Sequence, residues 1–186
     1  MTGSMADRPA LYAVFIAALF VQGGCTSALS AADGAAARGP VVIDHRDAGV
    51  PGTSIPDAIQ RALHTDARVL ECAAVVVDGR SRFAPDWVGV HRVDLDGDGN
   101  GEWILNGLHP CLRQPADDHA YWWIYTGHAP YRLLSRGQQG QQLEVRASRH
   151  AGLADLRLHL VNGRGQPLEL DLASDGSGYV PAARVR

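Results

Sequence analysis

The chain is 186 residues long, 46% of them apolar, with a formal net charge of −3. That length and apolar content allow one domain with a sizeable core and exclude a wholly disordered chain. The near-neutral balance provides no basic field for nucleic acid or an anionic membrane surface.

Residues 1–24 read as an export signal. ALYAVFIAALFV (Ala10–Val21) is an apolar run of about twelve residues, too short to span a bilayer comfortably and suited to the core of a signal peptide. Arg8 and the amino terminus put positive charge ahead of it, Asp7 weakens that charge, and Met5 is an alternative start. The run ends in VQGGC, where small residues precede Cys25 as in a bacterial lipobox, whose cysteine is acylated and becomes the mature N-terminus. Gln22 departs from the aliphatic residue usual at that place. Cleavage by an ordinary signal peptidase after Ser30 or Ala31 is the competing reading, and it would release a soluble secreted protein. The chain has three cysteines. With Cys25 assigned to lipid, Cys72 and Cys111 are left to form one disulfide in an oxidising compartment, the alternative being two buried free thiols. Residues 25–40 are small and featureless and are expected to tether the lipid to a single domain over 41–186.

Within that domain, Ser54, Pro56 and Asp57 ahead of AIQRAL predict a short N-capped helix, with Ile55, Ile59 and Leu63 on one face. Arg68–Val77 (RVLECAAVVV) is rich in β-branched residues and ends at Asp78-Gly79, so it reads as a strand. From Trp87 onward, short strands recur at intervals of about ten residues. They are WVGVHRVD, EWILNG, AYWWIYT, YRLLSR, QLEVRAS, LADLRLHLV and PLELDLA, separated by GHAP, RGQQGQ, NGRGQP and SDGSG, all turn-forming. The expected fold is mainly β: an antiparallel meander, propeller-like or sandwich, with one short N-terminal helix. No phosphate-binding glycine loop, dinucleotide fingerprint or βαβ alternation is present.

The strongest chemical signal is VDLDGDGNGEWIL (Val93–Leu105). Counting Asp94 as position one, carboxylates fall at positions one, three (Asp96), five (Asp98) and nine (Glu102), and the Asn100 carbonyl is available at seven. Like charges this close repel unless a cation neutralises them. Odd-position oxygens on a tightly coiled loop are the arrangement that holds Ca2+, with Gly97, Gly99 and Gly101 permitting the coil. Leu105 stands at position twelve, where a helical EF-hand needs a bidentate Glu, and the flanks read as strands. The loop is therefore expected as the calcium-binding turn of a β-hairpin. Magnesium suits it less because of its strict octahedral demand. The plainer alternative is a solvated Asp-Gly turn without metal.

This hairpin resembles the D-x-[DN]-G-D-G loops of FG-GAP and VCBS propeller repeats. Over roughly residues 87–181 the chain more closely resembles calcium-binding periplasmic lipoproteins that serve as immunity proteins in Xanthomonas-type interbacterial killing, themselves similar to periplasmic I-type lysozyme inhibitors. The residues that carry the likeness are DLDGDGNGEWIL, then YWWIYTG, YRLLSR, HAGLADLRLHL and ASDGSGYVP. The resemblance implies a non-enzymatic lipoprotein facing the periplasm, anchored in the outer or inner membrane, that binds and neutralises a lysozyme-like peptidoglycan hydrolase. Relatives carry a local cysteine pair after the loop, whereas this chain has Cys111 alone, which points to Cys72 as its partner. No inhibitory loop can be carried over.

Other constellations are weaker. Asp117, Asp118 and His119 suggest acid–base chemistry, but no nucleophile motif accompanies them, and a solvated acidic loop is the simpler reading. The eight histidines show no zinc spacing. Trp122 and Trp123 are adjacent, so on a strand they face opposite sides, one in the core and the other exposed as a contact surface, or both partly buried between sheets. Arg113, Tyr131, Arg132 and Arg136 are surface candidates for an inhibitory loop. The function alternative to inhibition is a structural or adhesive envelope lipoprotein whose calcium only staples the fold.

Overall fold

A computed structural model describes residues 40–50, 54–72, 76–77 and 80–182. The expected signal peptide, Cys25 and the tether up to residue 39 lie outside the described residues. Ala37–Arg186 forms one compact unit.

The architecture is mainly β, built from two antiparallel sheets and two short helices, and neither sheet closes into a barrel. Strand β1 (Val41–Asp44) is followed by helices α1 (Asp57–His64) and α2 (Ala67–Leu70) and a small ribbon, β2 (Val76–Val77) with β3 (Arg80–Ser81). The first large sheet then forms from β4 (Val88–Val93), β5 (Glu102–Gly107), β6 (Arg113–Gln114), β7 (His119–Tyr125) and β8 (Leu133–Gly140). Its β7 is central, with β5 and β6 along one edge and β8 along the other. The second sheet comprises β9 (Gln142–His150), β10 (Leu153–Val161), β11 (Pro167–Ser174) and β12 (Tyr179–Pro181), with β1 added against β9.

Most predicted strands fall where alternation and turn residues put them. Two segments differ. Arg68–Leu70 is helical rather than extended, because the Asp66 side chain caps α2 by accepting the Arg68 N–H at 2.9 Å and Val69 plugs the core. RGQQGQ is not a turn: Arg136–Gly140 continue β8, and the chain passes directly into β9 through Gln141. Gly137 takes φ +59 there, against the stem of Arg68. At α1, Pro56 rather than Ser54 occupies the N-cap, with no side-chain bond, while Ile55, Ile59 and Leu63 are buried as their spacing requires.

The first sheet is covered on both faces. One face carries Trp103, Leu105, Trp123 and Tyr125 against Ile59, Leu63 and Val69 of the helical layer. The other carries Ile104, Trp122 and Ile124 against Leu143, Leu156, Leu158 and Leu172 of the second sheet. Trp122 and Trp123 do point to opposite sides, yet both are fully buried, at 1% and 0% exposure. Neither is a contact surface, because the helices close the face that a two-layer sandwich would leave open. Burying both faces also explains why every residue of β5 is buried, including Glu102 and Asn106. The second sheet has a solvated outer face, where Arg157 pairs with Glu169 and Asp171, and His159 with Glu144.

Cys72, just after α2, and Cys111, in the 3-10 turn Pro110–Leu112, form a disulfide with Cα atoms 5.8 Å apart. It ties the helical layer to the first sheet.

Candidate metal centre

The acidic loop connects β4 to β5, as expected of a hairpin. Gly97 (φ +83) and Gly99 (φ +86) take the left-handed backbone that lets the loop coil tightly. Asp94 stabilises the coil by accepting the N–H of Gly97 at 2.6 Å and of Gly99 at 3.1 Å. Asp96 accepts the Asp98 N–H at 3.0 Å. Leu95 turns inward between them and is fully buried in the core between the sheets.

Three of the expected ligands converge. Asp94, Asp96 and Glu102 each place a carboxylate oxygen within 4.8 Å of the others. Two oxygens bound to one Ca2+ at about 2.4 Å each are separated by at most about 4.8 Å, so the trio lies within reach of a single ion. Among the described residues no other group of metal-ligating side chains converges in this way. Asp98 and Asn100 are placed differently. The Asp98 carboxylate accepts the Asn100 N–H at 2.6 Å and its amide at 3.3 Å, which holds Asp98 below the usual carboxylate range. A side chain at Gly127 would collide with the Asn100 and Gly101 carbonyl oxygens and press on Glu102 Oε1.

Glu102 is the unusual member. It is 2% exposed, on the β5 face that packs against the second sheet. Its Oε2 accepts the Leu95 N–H at 2.7 Å and its Oε1 the Gly127 N–H at 3.1 Å. Burial pushes its pKa up despite those two donors, and the neighbouring Asp96 carboxylate adds to the effect. A buried carboxylate that forms no ion pair with a cationic side chain among the described residues, with two more carboxylates in front, suits a hard divalent cation. The donor chemistry therefore fits calcium: Asp94, Asp96 and Glu102 are the residues that would hold it, and the ion would supply the charge that lets the three ionise together.

The contributions from distant segments had no signal in the local sequence. Arg149 of β9 reaches across to donate to the Leu95 carbonyl at 2.8 Å and lies over Gly97. The Gly127 amide arrives from the turn between β7 and β8.

The polar loop Asp117–His119 does not form one site. The Asp117 carbonyl accepts from Gln141, and His119 is buried with its Nε2 accepting the Val161 N–H at 3.0 Å. Asp118 adopts φ 50 and takes the Arg46 guanidinium at 2.6 Å and His45 Nε2 at 3.1 Å, with Arg113 at 3.8 Å. The Arg46 hydrogen bond first, then that of His45, hold its carboxyl down to about 2. Because the folded value lies below the unfolded 3.8, this stabilisation is complete above pH 4 and is lost as pH falls through 3.8 toward 2. Asp118→Asn tolerates the same backbone but lowers stability at pH 5 by about 1 kcal/mol at most, since water screens so exposed a group. The gap from wild type should close near pH 2, as read by urea midpoints at each pH; a gap independent of pH would contradict this account.

No family model, curated protein or solved structure matches the chain.

Proposed function

We propose that this chain is an exported, calcium-braced lipoprotein, acylated at Cys25 and facing the periplasm, that binds and blocks a lysozyme-like peptidoglycan hydrolase. The observation that carries the calcium part is the buried Glu102 carboxylate facing Asp94 and Asp96. Asp98 and the Asn100 carbonyl would have to turn from Asn100 and Gly127 to join the oxygen shell of a bound ion. The inhibitory part rests on the ordered motifs of the hairpin, aromatic strand and terminal Asp-Gly turn. YWWIY of the aromatic motif lies in the largely buried β7, which supports a scaffold role for it, and the exposed hairpin loop is the part we propose meets the partner. A glycosidase cleft carries paired carboxylates, and a loop already ordered by an ion enters it with less entropy to lose.

The test mixes the purified calcium-loaded protein with a panel of lysozymes and with hydrolases encoded beside its gene. Inhibition of at least one at micromolar concentration is expected, and Asp96→Ala should weaken it. Failure to bind or inhibit any of them would overturn the inhibitor reading while leaving calcium binding to its own test.

A further inference from the structure

Every asparagine of the chain, Asn100, Asn106 and Asn162, is followed by glycine. We propose that one of these pairs, Asn100-Gly101 in the acidic loop, is a self-modification site, where Asn100 loses its side-chain amide through a succinimide and becomes a mixture of isoaspartate and aspartate. The modification proceeds with or without a bound metal.

The chemistry is intramolecular. The Gly101 backbone nitrogen gives its proton to hydroxide and attacks the Asn100 side-chain carbonyl carbon. As the adduct collapses, the bond to the side-chain nitrogen breaks and ammonia leaves with a proton from water. Water then adds to one of the two ring carbonyls and reopens the ring as a carboxylate. Opening at the main-chain carbonyl routes the backbone through the side chain, as isoaspartate, and opening at the other carbonyl gives aspartate. Glycine favours closure because no Cβ shields its nitrogen. A pinned side chain or a hydrogen-bonded nitrogen disfavours it, because the two reacting atoms must meet.

The structure separates the three pairs on those grounds. Asn106 is fully buried on β5, where its Oδ1 accepts from His91 Nε2 at 3.0 Å. Its Nδ2 donates to the carbonyls of His45 and Asp47, at 2.8 and 3.0 Å. Asn162 is pinned in a turn: its Oδ1 accepts the N–H of Arg164 at 2.9 Å and of Gln166 at 3.0 Å, and its Nδ2 donates to Gln166 Oε1 at 2.9 Å. Asn100 is exposed, and the one hydrogen bond of its side-chain amide is a 3.3 Å contact with Asp98. That side chain is free to turn.

The attacking nitrogen gives the same answer. Asp96, Asp98 and Asp175 also precede glycine and could close the same ring. Asp94 holds the N–H of Gly97 at 2.6 Å and of Gly99 at 3.1 Å, and the Ser174 hydroxyl accepts that of Gly176 at 3.1 Å. The Gly101 N–H has no hydrogen-bond partner among the described residues, because the pairing of β4 with β5 begins only at Glu102. Nor does the hairpin admit another residue there: a Cβ at 101 would lie 3.0 Å from Val93 N and 3.1 Å from Arg92 C. The close approach of the two strands therefore fixes the labile dipeptide in the loop. Either product adds a carboxylate beside Asp94, Asp96, Asp98 and Glu102, and isoaspartate also lengthens the backbone between Asp96 and Glu102. What this does to a bound ion rests on the calcium reading above, whereas the modification itself does not.

The test incubates the folded protein with a chelator at mildly alkaline pH and follows the three asparagine peptides by mass spectrometry, with isoaspartate labelled by an isoaspartyl methyltransferase. Asn100 should convert at least about tenfold faster than Asn162, and Asn106 should stay intact, whereas in urea all three should convert at similar rates. The loop peptide of the Asn100→Gln protein should carry no isoaspartate. Equal rates at Asn100 and Asn162 in the folded protein would overturn the proposal, as would an intact Asn100 after the urea-unfolded chain has converted. So would isoaspartate that persists in the loop peptide of the Asn100→Gln protein.

Discussion

Calcium at a hundredfold excess over its dissociation constant is expected to stabilise the folded protein by about 2.7 kcal/mol, and Asp96→Ala should abolish that gain. Asp96 is the discriminating position because it is exposed and accepts a single backbone N–H, so its loss costs the metal-free fold little. Glu102→Ala would be a poorer choice. It would leave the buried Leu95 N–H and the part-buried Gly127 N–H without their acceptor and would weaken both forms of the protein. Magnesium at the same concentration should do much less, since a coiled loop of carboxylates does not impose octahedral geometry at short range. Titration calorimetry reads the binding and scanning calorimetry the shift in Tm. Wild-type protein that melts identically with and without calcium would remove the calcium reading.

Removing the disulfide should have an effect at least as large. The loop it closes spans 39 residues, for which the chain-entropy model gives a loss of about 4 kcal/mol in the Cys72→Ala/Cys111→Ala protein. The double variant is the right comparison because a single replacement would leave one reactive thiol. The bond joins the end of α2 to the 3-10 turn ahead of β6, so without it the helical layer is held on the first sheet mainly by apolar contacts such as Ile59, Leu63 and Val69. Guanidinium midpoints should fall in the double variant, and reductant should lower the wild type to nearly the same midpoint. A reductant that changes neither protein would show that the pair contributes nothing to stability.

Much of the β architecture was legible because the signals are local. Alternation in WVGVHRV and LADLRLHLV, and turn residues such as Gly163-Arg164-Gly165, report on neighbours one or two positions away, and strands formed there. Arg68–Leu70 was misread because its β-branched composition was weighed without the Asp66 cap just before it. Gly137 was misread as a turn because glycine marks an irregular strand as readily as a reversal.

By itself, the sequence determined that these strands exist, that a hairpin closes on four carboxylates, and that one pair of cysteines remains for the folded domain. Only the tertiary structure decided which faces are buried. It placed Trp122 and Trp123 in separate cores, turned Glu102 toward the space between the sheets, left Asp98 facing Asn100, and brought Arg149 over the loop from β9. The physical reason is that burial and desolvation depend on what packs against a residue, and those neighbours lie far away along the chain. Spacing can say that carboxylates are close together. Which of them carries a charge that water does not reach is set by the two sheets and the helical layer around it.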